Sequence, residues 1–160
     1  MTGFGRILDD LNGASVRYVL VGGIALIRHG VVRATRDVDA VFDPDPGNVE
    51  RLSELIERWG ATRPDGSALP EKTLAGDRTI NLSTPHGHLD LLSEKSTGTT
   101  FEDLLARADL RKVDGVEAPI CSLADLVALK RTAGRERDLV DLADLREAHG
   151  ELPDGPDPGA

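Results

Sequence analysis

The chain has 160 residues, a length that predicts one domain, which we place at residues 1–150. Its formal net charge of −9 argues against a general nucleic-acid coat, because non-specific affinity comes mostly from neutralising phosphates. Its apolar runs are too short to cross a bilayer. Cys121 is the only cysteine, which excludes an internal disulfide and favours a reducing compartment. From the single cysteine and the short apolar runs together, we expect a cytoplasmic protein that makes no membrane contact.

Helices and strands alternate in the first part of the chain. Apolar residues at helical spacing predict a helix near residues 4–13, and the apolar run 17–21 predicts a buried strand. Two glycines then turn the chain into a short helix over 24–29. A second strand is predicted at 37–42. A proline in the first turn and a closing glycine bound an amphipathic helix at 46–59.

The second part of the chain begins with a loop-rich stretch and continues with two hairpins and three helices. Asp114-Gly115 is a strong turn signal for the second hairpin, and Thr100 and Ser122 are N-cap residues of the helices that follow them. A proline- and glycine-rich tail at the end is predicted to be disordered. In order, these elements are the loop 61–77, strands 78–83 and 88–93, a helix 100–107, strands 110–113 and 116–121, a helix 122–132, a last helix up to 150, and the tail 151–160.

Gly22 and Gly23 lie between the first strand and the short helix. Adjacent glycines let a backbone approach a ligand closely, and the N-terminus of a helix favours anions. The pair is equally typical of a tight strand-to-helix turn. The Gly-Lys-Ser/Thr element of a P-loop is absent from the sequence.

Asp37 and Asp39 form a D-x-D on the second strand, where side chains alternate, so both carboxylates share one face. Two carboxylates this close repel each other unless a cation lies between them, and Mg²⁺ prefers carboxylates together with phosphate oxygens. A D-x-D in solvent at a strand end is the alternative. Arg33 and Arg36 flank the motif and either bind phosphate or balance the acids.

Asp90 lies within H-L-D-L-L-S, a mostly apolar strand in which a carboxylate is costly unless it is paired or binds a metal. If this strand lies beside the D-x-D strand, Asp90 can meet Asp37 and Asp39. The alternative is an ion pair between Asp90 and an arginine.

The segment V-G-G-I-A-L-I-R-H-G-V-V-R-A-T-R-D-V-D-A-V-F resembles the signature of the nucleotidyltransferase superfamily that includes DNA polymerase beta. The resemblance resumes at H-L-D-L-L-S and in a later lysine followed by R-x-R-D-x-x-D, and it is greatest to the AbiEii-like nucleotidyltransferases of abortive-infection and toxin–antitoxin systems. It covers residues 17–147. It implies an α/β (α+β) nucleotidyltransferase fold, with a small mixed sheet flanked by helices and a short C-terminal helical segment.

The resemblance also implies roles for the three carboxylates. Asp37 and Asp39 would coordinate magnesium or manganese. Asp90 would complete the metal site and act as general base on the incoming hydroxyl. These three residues are therefore the expected catalytic and metal-binding set.

Further residues are expected to bind the nucleoside triphosphate. In the resemblance Gly22 and Gly23 cradle the phosphates, Lys130 contacts the triphosphate, and Asp138 orients it or supports the metal shell. Arg36 joins this expected set as a candidate phosphate ligand. Many relatives carry serine where Gly23 stands, so here the backbone amides alone are available at that position.

The sequence leads to a magnesium-dependent nucleotidyltransferase that uses a nucleoside triphosphate as substrate and an RNA, tRNA or protein hydroxyl as acceptor. A cognate antitoxin or toxin protein is the expected partner. Two alternatives remain open at this point. One is a binding or regulatory module that keeps the fold, as the short C-terminal helical part suggests. The other is a small-molecule nucleotidyltransferase of the aminoglycoside-modifying kind, because an acidic protein attracts cationic acceptors.

Overall fold

The computed structural model describes residues 1–70, 72–75 and 78–156. The described chain contains six helices and six strands, with two short 3₁₀ turns at Thr73–Ala75 and Glu94–Ser96. The helices and strands are, in chain order, α1 (Gly3–Gly13), β1 (Tyr18–Val21), α2 (Gly22–Arg28), β2 (Asp37–Phe42), α3 (Pro46–Trp59), β3 (Ile80–Thr84), β4 (Gly87–Leu92), α4 (Phe101–Arg107), β5 (Asp109–Val113), β6 (Val116–Ile120), α5 (Leu123–Ala133) and α6 (Glu136–His149).

Local signals in the sequence account for most element boundaries. Asp45 accepts a hydrogen bond from the backbone N–H of Gly47 at 3.1 Å, and Pro46 occupies the first turn of α3. Gly60 ends α3 with a φ of 59°, a conformation that suits glycine. In the second hairpin, Asp114 and Gly115 have φ values of 51° and 81°, as a tight turn between twisted strands requires.

The strands form one mixed six-stranded sheet in the order β3-β4-β2-β1-β6-β5. The two hairpins, β3–β4 and β5–β6, lie at its edges, and β1 and β2 pair antiparallel in the middle. The pairs β2–β4 and β1–β6 are parallel and join the centre to the hairpins. All four residues of β1 are buried, as expected for a central strand. This small mixed sheet with flanking helices confirms the expected fold class.

The C-terminal segment differs from the prediction of a disordered tail. Leu152 is only 7% exposed and belongs to the core cluster. The guanidinium of Arg131 donates hydrogen bonds to the carbonyls of Pro153 and Asp154, at 2.9 and 3.2 Å. The buried Leu152 and these two hydrogen bonds hold the segment against the domain, although its composition is typical of disorder. Residues 157–160 of the predicted tail lie outside the described residues.

In its described residues, the loop predicted at 61–77 forms no strand of its own. The sequence of this loop left room for a short irregular strand, and Thr62 forms only an isolated antiparallel bridge with Ser83 on the edge strand β3. Residues 71, 76 and 77 of this loop lie outside the described residues. In the described ranges, no helix combines the length and the apolar character needed to span a membrane.

Candidate active site

The parallel pairing of β2 and β4 places the predicted carboxylates together. Asp39 is in register with Asp90, and Asp37 is in register with His88 on the same pair of strands. Val38 is fully buried on the opposite face, so the alternation predicted for the D-x-D is present. The sheet thus brings one carboxylate from β4 to the two on β2.

Asp39 lies in an environment that disfavours its charged form. Burial is the largest cause, and the charge of Asp90, a hydrogen bond between the two carboxyl groups and the charge of Asp37 act in the same direction. A hydrogen bond from the backbone N–H of Gly23 opposes them. Together they raise the pKa of Asp39 to about 6. A cation at this point would relieve the repulsion.

The donor set fits a cation that arrives together with a triphosphate. Within the part of the chain that the structure describes, no three His, Cys, Asp or Glu side chains converge as a ready-made metal site. Mg²⁺ does not need one, because it usually takes one or two carboxylates and completes its shell with substrate phosphates and water. Asp37, Asp39 and Asp90 supply hard oxygen ligands of that kind and lie in one cleft.

Gly22 and Gly23 pack directly against this cluster. Gly22 has a φ of 64°, and a Cβ built on it would lie 2.2 Å from a carboxylate oxygen of Asp39. A Cβ on Gly23 would lie 2.6 Å from the hydroxyl of Thr35. The turn at the start of α2 therefore admits only glycine at the first position, because the backbone has to pass close to Asp39.

A second group of charges connects α5 and α6. The Lys130 ammonium donates to Asp138 at 3.2 Å and to Asp141 at 2.8 Å, and all three side chains are largely buried. The guanidinium of Arg135 donates to Asp138 at 2.8 Å. Burial tends to raise the pKa of Asp138, but the hydrogen bonds from Arg135 and Lys130 outweigh it and hold that pKa below its usual value.

Arg33 extends this group from the loop between α2 and β2. Its guanidinium donates to Asp141 at 2.6 Å. Asp141 was not singled out from the sequence, although it lies three residues after Asp138, a spacing that puts both carboxylates on one face of a helix. The spacing of the R-x-R-D-x-x-D motif contained this signal.

These groups line one cleft of about 470 Å³, a volume in the range of small-ligand sites. All the predicted site residues except Arg36 line it. Arg36 is not among the residues that line the cleft, whereas Arg33, on the same loop, is. The polar residues that line the cleft and were not among the predicted site residues are Arg33, Thr35, Thr79, Ser96, Thr132, Arg135, Arg137 and Asp141.

Solved structures with the same fold include several nucleotidyltransferases. The lincosamide antibiotic adenylyltransferase LnuA, bound to lincomycin, has a TM-score of 0.61 and 17% identity, and the match covers 91% of this chain and 96% of that one. A putative nucleotidyltransferase from Thermotoga maritima has a TM-score of 0.58 and 15% identity, covering 89% of each chain. Identities of this size show the fold alone.

A third solved structure, an antigenic nucleotidyltransferase-like protein from Paracoccidioides brasiliensis, has a TM-score of 0.60 and 17% identity over 90% of this chain and 72% of that one. No curated protein is similar enough in sequence to count as a match. A family model described as the nucleotidyl transferase AbiEii toxin of type IV toxin–antitoxin systems matches residues 6–155. The chain therefore belongs to the AbiEii family of nucleotidyltransferases.

Proposed function

We propose that this nucleotidyltransferase is magnesium-dependent and moves a nucleoside monophosphate from a nucleoside triphosphate to a hydroxyl group of an RNA or a protein. The observation that carries the proposal is the in-register pairing of Asp39 and Asp90, with Asp37 beside them and the cations of α5 and α6 in the same cleft. Negative and positive groups face one volume that is large enough for a nucleotide.

Asp37, Asp39 and Asp90 would hold the metal ion, which when bound offsets the charge of the phosphates. The acceptor oxygen attacks the α-phosphorus and forms a new P–O bond there, while the bond from the α-phosphorus to the bridging oxygen breaks and pyrophosphate leaves with the electron pair. Asp90 takes the proton of the acceptor hydroxyl. Asn81 donates a hydrogen bond of 2.7 Å to Asp90, which orients that carboxylate.

The cations of the cleft are placed to receive the leaving pyrophosphate. Lys130 is held by Asp138 and Asp141, and Arg33 is held by Asp141, so two positive groups are already oriented before the substrate binds. Preorganised charge of this kind stabilises developing negative charge without a reorganisation cost at the moment of reaction. We assign Lys130 to the triphosphate and Asp138 to the positioning of Lys130.

Transfer of label from α-³²P-labelled nucleoside triphosphates tests the proposal. The purified protein, with Mg²⁺ or Mn²⁺, is incubated with each triphosphate and with total RNA or cell lysate as acceptor. We expect label on a macromolecule with the wild type, and a loss of at least about 100-fold in Asp37→Asn/Asp39→Asn, because the metal ligands are then neutral.

The matched control is Glu50→Gln/Glu54→Gln, which makes the same change in charge on the exposed face of α3 and should transfer label like the wild type. If the Asp37→Asn/Asp39→Asn variant transferred label at the wild-type rate, the proposed mechanism would be wrong. Digestion of the product with ribonuclease or protease then separates an RNA acceptor from a protein acceptor.

Two further functions fit parts of the molecule. Structures of a lincomycin-bound adenylyltransferase and of ANT(2″)-Ia with adenylyl-2″-tobramycin share the fold, and the net charge of −9 favours a cationic acceptor. A binding module that acts through protein contacts is the other candidate. The family description as a toxin leads us to propose a cognate antitoxin as the partner in either case. Transfer of the label to an aminoglycoside would favour the small-molecule nucleotidyltransferase. No transfer to any acceptor would favour the binding module.

A further inference from the structure

The second glycine of the turn before α2, Gly23, is not required by its own backbone. Its φ lies outside the left-handed region that favours glycine, in contrast to the φ of 64° at Gly22. The three atoms nearest to a Cβ built on Gly23 all belong to Thr35: Oγ1 at 2.6 Å, Cβ at 3.0 Å and Cγ2 at 3.6 Å. The side chain of Thr35 therefore fills the space that a side chain at position 23 would need.

We propose that the hydroxyl of Thr35 is a ligand of the phosphate chain of the nucleoside triphosphate. The proposal rests on the proposed function, because it adds a residue to the triphosphate site of that reaction. Thr35 comes from the loop before β2, whereas Gly23 comes from the turn before α2, and both line the cleft. Glycine at position 23 and threonine at position 35 thus form one unit, in which one segment gives up a side chain and the other supplies a hydroxyl.

The hydroxyl of Thr35 is weakly held by the protein. Within the described ranges its one hydrogen bond goes to the backbone carbonyl of Asp37 at 3.4 Å, whereas O–H···O bonds are usually about 2.7 to 2.8 Å long. Thr35 is half-buried, so water does not fully surround its side chain. The proton of this hydroxyl is therefore available to a better acceptor, and a charged phosphate oxygen forms a shorter and stronger bond than a neutral carbonyl does.

The neighbours of Thr35 carry the charges that a triphosphate has to contact. The backbone N–H of Gly23 donates to the carboxylate of Asp39, so the hydroxyl of Thr35 adjoins the proposed metal ligands. In the chain, Thr35 follows the cation Arg33 by two residues and precedes Asp37 by two, and all three line the cleft. A hydroxyl carries no charge, so it can lie beside carboxylates without repulsion and still donate to a phosphate oxygen.

Isothermal titration calorimetry with ATP, CTP, GTP and UTP, each with Mg²⁺ and without an acceptor, tests the assignment. For the triphosphate that the wild type binds best, we expect about tenfold lower affinity in Thr35→Val, which keeps the shape of the side chain and removes the hydroxyl. Thr35→Ser keeps the hydroxyl and should bind within about threefold of the wild type. Inorganic tripolyphosphate with Mg²⁺ should show the same loss in Thr35→Val, because it carries the phosphate chain without the nucleoside.

The matched control is Thr62→Val. Thr62 is also half-buried, and its hydroxyl also donates to a backbone carbonyl, that of Arg63 at 3.0 Å, but Thr62 is not among the residues that line the cleft. Thr62→Val should therefore bind the triphosphates like the wild type, and thermal unfolding checks that each variant is folded during the titration. Wild-type affinity in Thr35→Val, an equal loss in Thr62→Val, or a loss for the triphosphate but none for tripolyphosphate would overturn the assignment.

Exchange of the two side chains gives a second test. Gly23→Ser alone should weaken triphosphate binding, because its Cβ would lie 2.6 Å from Oγ1 of Thr35 and displace it. Thr35→Gly alone should weaken binding because the hydroxyl is lost. In Gly23→Ser/Thr35→Gly the space is free for the new hydroxyl, so we expect affinity at least about fivefold higher than in Thr35→Gly. A double variant that binds no better than Thr35→Gly would contradict the proposal.

The assignment of Thr35 and the proposed function fail separately in these experiments. Triphosphate binding that depends on the hydroxyl of Thr35, in a protein that transfers no label to any acceptor, would contradict the proposed function and support the assignment. Label transfer by the wild type, together with equal triphosphate affinities of the wild type and Thr35→Val, would support the enzyme and overturn the assignment.

Discussion

At the scale of single residues, ionisation of Asp39 lowers the free energy of unfolding of the metal-free protein. Its folded-state pKa of about 6 lies above the ordinary value of 3.8, so the folded chain holds this proton more tightly than the unfolded chain. The stability gained in this way is present below pH 3.8 and is lost as the pH rises through 6. At pH 8 the metal-free protein therefore carries an unfavourable charge on the half-buried Asp39.

Replacement of Asp39 by asparagine should stabilise the metal-free protein. In EDTA at pH 8 we expect Asp39→Asn to melt roughly 3 to 8 °C above the wild type, and the gain should shrink as the pH falls toward 5 and below. Thermal unfolding followed by circular dichroism measures it. Asp9→Asn, on an exposed position of α1, is the control and should show no such gain. A gain that is independent of pH would contradict the assigned cause.

Gly22 and Gly60 together separate the cost of backbone strain from the cost of overlap between a new Cβ and neighbouring atoms. Gly22 and Gly60 have nearly equal φ values, 64° and 59°, but a Cβ on Gly22 meets Asp39 whereas one on Gly60 meets nothing within 4 Å. We expect Gly60→Ala to cost about 1 kcal/mol of unfolding free energy, from the left-handed conformation alone. Gly22→Ala should cost about 3 kcal/mol or more, because overlap with Asp39 adds to it. Urea denaturation gives both values; equal costs would show that the overlap relaxes freely.

The residue types that carry the site could largely be predicted. The period of a strand was enough to put Asp37 and Asp39 on one face, but the meeting with Asp90 depended on which strands are neighbours, and no local pattern determines that. Arg33 and Arg36 both precede the D-x-D, and the sequence offered phosphate binding or charge balance as the role of either one. The path of the loop from 29 to 36, which carries Arg33 to Asp141, has no periodic signal from which its direction could be worked out.

At the scale of elements, the junction between α5 and α6 is fixed by a buried carboxylate. Asp138 is fully buried; it accepts a hydrogen bond from the backbone N–H of Arg135 at 3.1 Å, which caps α6, and another from Lys130 on α5. One side chain thus begins one helix and joins it to the helix before it.

Removal of this carboxylate should loosen both connections. For Asp138→Ala we expect a loss of roughly 2 to 4 kcal/mol in unfolding free energy, since Lys130 keeps only Asp141 as a partner and α6 loses its cap. Asp138→Asn should lose less, because its amide oxygen can still cap the helix. Urea denaturation compares the two. Glu147→Ala, at an exposed position of the same helix, should stay within about 0.5 kcal/mol of the wild type.

The elements themselves were predictable where the signal is local. The bounds of β2 and α3 agree with the structure to the residue, and for α3 the N-cap Asp45 and the closing Gly60 mark both ends. The order β3-β4-β2-β1-β6-β5 depends on contacts between distant segments and was not predicted from the sequence; the resemblance implied only a small mixed sheet flanked by helices. The prediction of a disordered tail used the average composition of ten residues. Such an average does not reveal that a single leucine, Leu152, is buried in the core.

At the scale of the whole molecule, the distribution of charge matters more than its sum. The net charge of −9 led to the expectation that the protein is no general nucleic-acid coat, and this leaves a local site open. The cleft is lined by the cations Arg33, Lys130, Arg135 and Arg137 and by the carboxylates Asp37, Asp39, Asp90, Asp138 and Asp141. Charges of both signs therefore meet in one cleft, an arrangement that suits an anionic ligand carrying its own metal ion.

The parallel contact between β2 and β4 also determines when the site comes into being during folding. The strands of each hairpin are near neighbours in the chain and pair early, whereas β2 and β4 are separated by α3, a long loop and β3, so their contact closes a large loop and forms late. Until it forms, Asp37 and Asp39 on β2 are without Asp90. A ribosome-bound chain that has not yet released β4 therefore lacks a complete carboxylate cluster, and the cleft is complete only when α5 and α6 have added Lys130 and Asp138.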